Sequence, residues 1–502
     1  QLLADALSKN KHITIIGDYD ADGATASALS VLVLKALGGR HVDFLIPDRF
    51  TMGYGLSSEL VEQAANIGSD LIVTVDSGIT SLTGVIKARS LNLSVIITDH
   101  HLPGEQLPQA QAIVNPNLYG DQFTAKNTAG VGVAFYLMAV LRRLIKPDLD
   151  MAEFLDLVAL GTVADLVPLD YNNRILVEHG LRRIRAGLCR PGISALLQTA
   201  ASRPKRATTR DLAFAIGPRL NAAGRLTDMR LGMECLLCND LKQALAYAAE
   251  LNELNQERQA IESQMQEQAT QALNDIEFSG DLPYGLCLYN EHWHEGVIGI
   301  LASRLKERYH RPTIALTLAE DGSVKGSARS IPEIHIRDLL ADIVRRYPDI
   351  LIRYGGHAMA AGLTLHRTQV PLFTKLFATA VQHHLNGELP TAQILTDGCL
   401  HHSEITVENA KLLRYAGPWG QRFPAPLFEG RFRVVSQRLV GKIHLKLQLK
   451  TEDGRVDVAA IAFRWGESLL DTEWVYVVYQ LDLNEYMGQE RLQLIIEHIQ
   501  PL

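Results

Sequence analysis

Short apolar runs alternate with helix-forming segments over the first 115 residues, and this alternation constrains the fold more than any other feature. Strands are predicted near 13–17, 42–46, 71–75, 94–98 and 112–114, and helices near 24–37, 57–66 and 80–90. Strands that alternate with helices along a chain form parallel sheets with helices on their faces. The pattern therefore predicts an α/β fold built on a doubly wound, mainly parallel sheet.

Acidic residues end three of these apolar runs. The residues at the three strand ends are Asp18, Asp20, Asp22, Asp76, Asp99, His100 and His101. Because alternate positions of extended chain share one face, the first three carboxylates present hard oxygen donors together. Ligands of such sheets bind beyond the carboxyl ends of the strands, where Asp18, Asp76 and His100 all fall. The pattern predicts one metal site at this edge of the sheet.

A single acidic residue can also serve a purpose other than metal binding. The run Asp-x-Asp-x-Asp-Gly also opens the calcium loop of EF-hands, but that loop follows a helix and needs Glu where this chain has Leu29. One acid at a strand end is usually a turn or helix cap, so the metal interpretation depends on three coinciding ends. Asp165 ends another apolar run, and a buried carboxylate there needs a partner such as a metal, with a helix cap as the alternative.

Composition indicates a soluble protein of several domains, since the chain has 502 residues and 47% of them are hydrophobic. No apolar run reaches the roughly 20 residues of a membrane span, and the N-terminus lacks a secretory pattern. Because the chain begins with Gln1, we expect the natural N-terminus to extend further. Five scattered cysteines favour free thiols in the cytoplasm, and Cys235 with Cys238 is interpreted as core.

A basic segment stands out in a chain whose net charge is −7. Between Arg203 and Arg230 lie seven lysines and arginines against only Asp211 and Asp228. Such clustering favours a track for an anionic substrate, with a solvated basic face as the alternative.

Changes in composition divide the rest of the chain. The predicted domains are 1–237 with a helical extension, a connecting helix at 238–276, a second, smaller α/β domain at 277–390 and an OB-like β-barrel at 391–502. The connecting segment lacks Gly and Pro, which favours a long helix. The last segment contains five alternating β-rich runs, which are typical of a small barrel.

The predicted barrel also offers nucleic-acid contacts. Its tyrosines and lysines would supply stacking and phosphate binding, and the alternative for the aromatic rings is core packing. These residues are Tyr476, Tyr479, Tyr486, Lys442, Lys446 and Lys450.

Several motifs resemble those of the DHH phosphoesterase superfamily. They are Gly-Asp-Tyr-Asp-Ala-Asp-Gly at 17–23, Val-Asp-Ser-Gly-Ile at 75–79, Asp-His-His at 99–101 and Val-Ala-Asp-Leu-Val-Pro-Leu at 163–169. Three others, at 217–225, 326–330 and 355–362, resemble the RecJ family within it. That family often has Asn where this chain has Ser77, which keeps the neighbouring acid, and its members carry additional N-terminal residues. The resemblance covers nearly the whole chain.

The resemblance implies a 5′ to 3′ exonuclease that degrades single-stranded DNA to mononucleotides in recombination and repair. It implies two Mn²⁺ or Mg²⁺ ions, which suit carboxylate oxygens with a minority of imidazole. Asp20 would bind one ion, supported by Asp18. The ligands of the other ion would be Asp22, His100 and Asp165.

Further roles are implied by the same likeness. Asp76 would bridge the two ions and His101 would contact the scissile phosphate, whereas Asp99 would hold the turn. Guanidinium groups suit bidentate phosphate binding, and the substrate contacts would come from both α/β domains. The implied contacts are Arg49, Arg219, Asn221, Arg225, Ser327, Arg329 and His357.

The resemblance also implies a monomer that works with single-strand-binding protein and a RecQ-type helicase, while the residues themselves favour the cytoplasm, away from membranes. Two alternatives share the superfamily core: a pyrophosphatase or small-nucleotide phosphodiesterase, and an inactive DNA-binding scaffold. The arginine-bearing motifs and the barrel disfavour a small substrate. The complete set of acidic residues and His100 disfavours an inactive scaffold.

Overall fold

The computed structural model describes residues 1–49, 52–279, 282–388, 391–441, 443–463, 465–466, 468–486 and 489–502, without the side chains of 274–279 and 485–486. The chain divides into two compact units, one with 1–224, 228–251 and 394–502, the other with 225–227 and 252–393. Lys442, the side chain of Tyr486 and the predicted boundary at 390 lie outside the described residues. Within the described part of the chain, no helix is long and apolar enough to cross a bilayer.

The first unit contains the predicted parallel sheet. Its helices are α1 (Leu2–Ser8), α2 (Ala21–Ala36), α3 (Ser58–Asn66), α4 (Leu82–Ser90) and α5 (Gly130–Ile145). Its strands are β1 (Ile13–Ile16), β2 (Val42–Leu45), β3 (Leu71–Val75), β4 (Ser94–Thr98) and β5 (Ala112–Val114). The strand order is β2-β1-β3-β4-β5, and every pair is parallel. The prediction of a doubly wound sheet is confirmed.

Burial explains why the central strands β1 and β3 are apolar at every position except Thr14 and Thr74. All residues of β1 and β3 are buried, as expected for strands covered on both faces. Helix α2 is buried at 13 of its 16 positions, which accounts for its lack of a polar face. Because β1, β3 and β4 are adjacent and parallel, their carboxyl ends lie at the same edge of the sheet.

Helices follow the sheet, as the sequence predicts for 130–237. They are α6 (Leu155–Ala164), α7 (Tyr171–Arg185), α8 (Pro191–Thr199), α9 (Thr209–Asp211), α10 (Gly217–Leu226) and α11 (Arg230–Leu237), and the long α12 (Leu241–Ser279) comes next. Nine of the ten residues of α6 are buried, and Asp165 is its C-cap. The apolar helix therefore delivers one carboxylate at its end.

The second unit is a smaller α/β fold. Its elements after α12 are β6 (Leu286–Tyr289), α13 (Ile298–Tyr309), β7 (Thr313–Leu318), β8 (Val324–Arg329), α14 (Ile336–Arg346), β9 (Arg353–Gly356), β10 (Ala360–Leu365) and α15 (Val370–His384). The order is β6-β7-β8-β10-β9, with only β6 and β7 parallel. The glycine-rich run at 355–362 forms the β9–β10 hairpin, which its composition disguised because Gly is depleted in strands.

The first unit also holds the predicted barrel. Its elements are α16 (Val407–Ala416), β11 (Phe428–Val440), β12 (His444–Thr451), β13 (Asp457–Ala462), β14 (Trp474–Tyr486) and β15 (Gln489–Pro501). The strands close in the order β11-β12-β13-β15-β14, which confirms the barrel. Tyr479 is 1% exposed and packs against Phe428 and Phe432. It is a core residue, which supports the core-packing alternative for this ring.

Ion pairs between the barrel and the helical segment explain part of the basic run. Arg206 lies 2.5 Å from Glu490, and Arg210 lies 3.8 Å from Asp482. These two arginines bind acidic groups of the barrel, which neither a substrate track nor a solvated face anticipates. The interpretation of the whole run as a substrate track is therefore revised for these positions.

Candidate active site

The strand ends bring the predicted acidic residues together. Asp18 lies two residues beyond β1, Asp76 directly follows β3, and His100 lies two residues beyond β4. His100 Nε2 is 3.1 Å from Asp76 Oδ1 and 3.6 Å from Asp165 Oδ2. The end of α6 thus meets the edge of the sheet at the same place.

The ligand atoms form overlapping groups, each with its atoms within 4.8 Å of one another. One group contains Asp18, Asp20 and Asp76, and another contains Asp22, His100 and Asp165. A third combines Asp76 with His100 and His101. Every residue predicted to bind metal belongs to at least one group, and Asp76 belongs to two of them.

Helix ends fix two of the carboxylates. Asp20 is the N-cap of α2, where its Oδ1 accepts the backbone N–H groups of Asp22 and Gly23, both at 3.0 Å. Asp22, only 1% exposed, accepts the backbone N–H groups of Gly130 at 2.7 Å and Val131 at 3.0 Å. Because these donors begin α5, the positive end of that helix faces the carboxylate.

Glycines make room for the acidic groups. A Cβ on Gly130 would lie 2.4 Å from Asp76 Oδ1, and one on Gly161 would lie 2.6 Å from Asp22 Oδ1. A Cβ on Gly23 would approach the Asp18 backbone to 2.6 Å. The neighbouring backbone therefore packs directly on the carboxylates, with no space for a larger residue.

The electrostatics of the site favour a bound cation. Burial, followed by the charge of Asp20, raises the pKa of Asp22 from 3.8 to about 7. The pKa values of Asp18, Asp76 and Asp165 are raised as well, first by burial and then by neighbouring carboxylates. Such crowded carboxylates repel one another until a positive charge joins them.

Buried polar atoms point the same way. Among the described residues, Asp18 Oδ1, Asp76 Oδ1 and His100 Nε2 are buried and make no hydrogen bond of suitable geometry, although the last two lie 3.1 Å apart. Leaving such atoms unsatisfied is costly unless a ligand meets them. Burial, and then the charge of His101, lowers the pKa of His100 to about 4, which keeps its imidazole neutral. Neutral imidazole is the form that binds metal. The donor set therefore fits a divalent cation.

Asp99 holds the turn after β4, as the sequence analysis expects. Its Oδ1 accepts the backbone N–H groups of His100 at 2.7 Å and His101 at 3.0 Å, and its Oδ2 accepts that of Ile79 at 2.9 Å. His101 Nδ1 also lies 2.7 Å from Asp99 Oδ1. Although burial raises the pKa of Asp99, the hydrogen bond and charge of His101 outweigh it and lower the pKa.

Tyr54 is a site residue that no motif in the sequence indicates. Its hydroxyl lies 3.2 Å from the Asp76 carbonyl oxygen and 3.0 Å from His101 Nδ1. The only hint in the sequence is that Tyr54 lies between Gly53 and Gly55. In the structure both glycines have a positive φ. A tyrosine in a loop carries no metal or nucleophile pattern, so spacing alone did not identify it.

Three predicted substrate contacts lie in the first unit. Asn221 Oδ1 accepts the backbone N–H of Ala21 at 2.8 Å, so this side chain supports the start of α2. Arg219 donates to the Ala215 carbonyl at 2.6 Å. The guanidinium of Arg49 lies 5.0 Å from the centre of the Tyr19 ring, and its charge lowers the pKa of Asp18 against larger opposing effects.

The other predicted contacts lie in the second unit. Arg329 Nη1 donates to Ser327 Oγ at 2.9 Å, and a Cβ on Gly299 would lie 3.0 Å from both side chains. The first turn of α13 is therefore next to this pair. Arg225 donates to the Gly296 carbonyl at 3.0 Å, and His357 Nδ1 accepts the Met359 N–H at 3.2 Å.

Glycines lie beside Ser327 on the two neighbouring strands of the sheet. Ser327 is opposite Gly362 of β10, and Gly362 is opposite Gly355 of β9. A Cβ on Gly362 or Gly355 would meet open space. The sheet therefore leaves a surface beside Ser327 that is free of side chains.

Comparisons with known proteins cover the whole chain. Residues 12–162 match the DHH family, N-terminal domain, residues 283–383 match the DHHA1 domain, and residues 396–498 match the RecJ OB domain. The single-stranded-DNA-specific exonuclease RecJ of Dickeya dadantii is 50% identical over 100% of this chain and 90% of its own length.

Solved structures agree with this likeness. Crystal structures of RecJ from Thermus thermophilus resemble the chain with TM-scores of 0.79 for the Mn²⁺ complex and 0.73 for the Mg²⁺ complex. Their sequences are 31% and 29% identical, and they cover 100% of this chain and 70% and 69% of their own. On these matches, the chain belongs to the RecJ family of single-stranded-DNA-specific exonucleases.

Proposed function

We propose that the protein is a metal-dependent exonuclease that degrades single-stranded DNA from its 5′ end to mononucleotides. The observation that carries this proposal is the set of three overlapping ligand groups at the strand ends, in which Asp76 and His100 each belong to two groups. The relative at 50% identity is named as a single-stranded-DNA-specific exonuclease, which gives the substrate. The barrel and the second α/β fold supply surface that a small phosphate ester does not need.

The proposed metals are two Mn²⁺ or Mg²⁺ ions. Asp20, supported by Asp18, would hold one of them. The other would be held by Asp22, His100 and Asp165, and Asp76 would contact both. Oxygen ligands with one imidazole suit these cations, and the orphaned atoms of Asp18, Asp76 and His100 are where ligands are wanted. When bound, such ions polarise the phosphate and make a bound water more acidic.

The side chains of the protein supply positioning. Asp22 is fixed by the N-terminus of α5, and Asp99 fixes the turn that presents both histidines. His101, whose side chain is 45% exposed, would contact the scissile phosphate. Although partial desolvation of the ring lowers the pKa of His101, the hydrogen bond to Asp99 and the surrounding carboxylates raise it overall, which favours the protonated ring that pairs with phosphate.

The second unit would set the 5′ to 3′ direction of DNA degradation. Ser327, Arg329 and the first turn of α13 offer a hydroxyl, a guanidinium and backbone N–H groups to a terminal 5′ phosphate. His357 and Arg225 would add further contacts to the DNA in the second unit. In the first unit, the DNA would be contacted by Arg49, Arg219 and Asn221. The open space at Gly355 and Gly362 supports close approach of a DNA strand to the sheet of the second unit.

We further propose a monomer that acts in the cytoplasm during recombination and repair. A single-strand-binding protein and a RecQ-type helicase would supply its substrate. Five cysteines without a disulfide among the described residues support a reducing compartment. The test is co-purification of the two partners with the tagged protein. If nuclease treatment of the lysate abolishes the co-purification, the three proteins bind the same DNA and do not contact one another directly.

The test uses a 5′-phosphorylated oligonucleotide labelled at either end, beside a blunt duplex, with Mn²⁺, Mg²⁺ or EDTA. We expect labelled mononucleotides at once from the 5′ label of the single strand, none with EDTA and none from the duplex. Asp76→Asn keeps the shape of the side chain and should abolish release. Release first from the 3′ label, or hydrolysis of pyrophosphate without DNA degradation, would contradict the proposal.

A further inference from the structure

Tyr54 lies on the loop after β2 and reaches the ends of two other strands. The loop turns at Gly53 and Gly55, whose φ values of 74° and 82° suit glycine. The Tyr54 ring lies edge-on to the rings of Tyr19 and His101, with centroids 6.5 Å and 5.6 Å apart. These contacts aim its hydroxyl at the space between the ends of β3 and β4.

Hydrogen-bond chemistry fixes the direction of two of these bonds. The Asp76 carbonyl oxygen, 3.2 Å from the Tyr54 hydroxyl, can only accept, so the hydroxyl proton is donated to it. The Asp99 carboxylate, 2.7 Å from His101 Nδ1, is also an acceptor, so Nδ1 carries the hydrogen. The Tyr54 oxygen lies 3.0 Å from Nδ1 and 3.4 Å from Nε2, so it contacts the edge of the ring that carries both nitrogens.

The anchor of Tyr54 is itself unusual. Asp76 has a φ of 57°, a left-handed value that non-glycine residues adopt at a cost. That backbone turn directs the Asp76 carbonyl to the Tyr54 hydroxyl. Tyr54 therefore links the backbone of Asp76 at the end of β3 to the histidine that follows β4.

We propose that Tyr54 is a positioning residue of the exonuclease reaction. Anchored on the Asp76 carbonyl, its hydroxyl contacts the nitrogen-bearing edge of the His101 ring and holds the ring in one orientation against the Asp99 carboxylate. Asp99 alone would leave the 45% exposed ring free to turn about its one side-chain hydrogen bond. The inference rests on the proposed function, because it assigns His101 to the phosphate.

The first variant is Tyr54→Phe, which keeps the ring and removes the hydroxyl. We expect kcat on a saturating single strand to fall about tenfold, with KM changed less than about twofold, since orientation is lost and binding is not. Tyr136→Phe is the matched control, because it removes a tyrosine hydroxyl that donates to Asn172 Oδ1 at 2.5 Å on the same unit. Its kcat should equal that of the wild type.

The second measurement is a double-mutant cycle with His101→Ala. Tyr54→Phe should cost nothing further in the His101→Ala background if it acts through that ring. An equal loss in both backgrounds, or a wild-type kcat for Tyr54→Phe, would overturn the inference. A wild-type enzyme without exonuclease activity would instead refute the proposed function.

Crystals of metal-free Tyr54→Phe give a readout that is independent of activity. We expect the His101 ring to leave the plane of the Asp99 hydrogen bond or to occupy two rotamers. An unchanged ring in the variant would contradict the positioning role, whatever the kinetics show.

Discussion

Substitution of Gly130 by alanine tests whether the backbone shapes the site. The added Cβ would lie 2.4 Å from Asp76 Oδ1, whereas ordinary contact begins at 3.4 Å, so one of the two groups must move by 1.0 Å. Helix α5 cannot yield freely, because the N–H groups of Gly130 and Val131 bind Asp22. The Asp76 carboxylate is therefore expected to move, although no ligand has been removed.

The magnitude follows from that displacement. Misplacing a reacting group by about 1 Å costs roughly 100-fold in rate, so kcat on single-stranded DNA should fall by about that factor. Overpacking of this kind also costs about 1–3 kcal/mol of the free energy of unfolding. Denaturant unfolding and the release of labelled nucleotides measure the two effects separately.

Gly132→Ala is the matched control for Gly130→Ala. It makes the same substitution in the same helix, but its Cβ meets the Thr128 methyl group at 2.6 Å and no carboxylate. We expect a similar loss of stability with kcat close to the wild type. A Gly130→Ala enzyme with wild-type kcat and Mn²⁺ affinity would refute the packing argument.

Three other predictions address the site. Asn221→Ala removes the acceptor of the Ala21 N–H and should weaken Mn²⁺ binding about tenfold, as measured by calorimetry, and unchanged affinity would contradict a supporting role. Arg329→Ala should raise KM for a 5′-phosphorylated DNA strand about tenfold or more and leave KM for a 5′-hydroxyl strand unchanged. Equal effects on the two substrates would exclude a terminal-phosphate site at Arg329. The pKa of Asp22 is raised from 3.8 to about 7, so in metal-free protein its contribution to stability is full below pH 3.8 and is lost as pH rises through 7. Mn²⁺ binding should therefore release more protons at pH 6 than at pH 8 in calorimetry across buffers, and equal release would contradict the raised pKa.

The strand ends were predictable because their signal is local. The apolar run before Asp18 was expected at 13–17 and lies at Ile13–Ile16, and a parallel sheet places consecutive strand ends at one edge. Asp165 was also predictable, because a lone acid at the end of a buried helix needs a partner. Roles of individual ligands came from resemblance to a family and stay predictions.

Contacts distant in sequence were not predictable. Nothing near Asn221 indicates that it binds the N–H of Ala21, 200 residues earlier, and nothing near Arg206 indicates Glu490 as its partner. Tyr54 was missed because its role depends on a backbone carbonyl, and every residue has one. Similarly, β9 and β10 were missed because pairing, rather than strand propensity, holds glycine-rich chain in a sheet.

The most direct test of the metal centre is a crystal structure of the wild-type protein with Mn²⁺, using anomalous scattering at the manganese edge. We predict two peaks, one beside Asp20 and the other beside Asp22 and His100, with the Asp76 carboxylate in contact with both. A single peak, or two peaks that Asp76 does not join, would contradict a two-metal site at the strand ends.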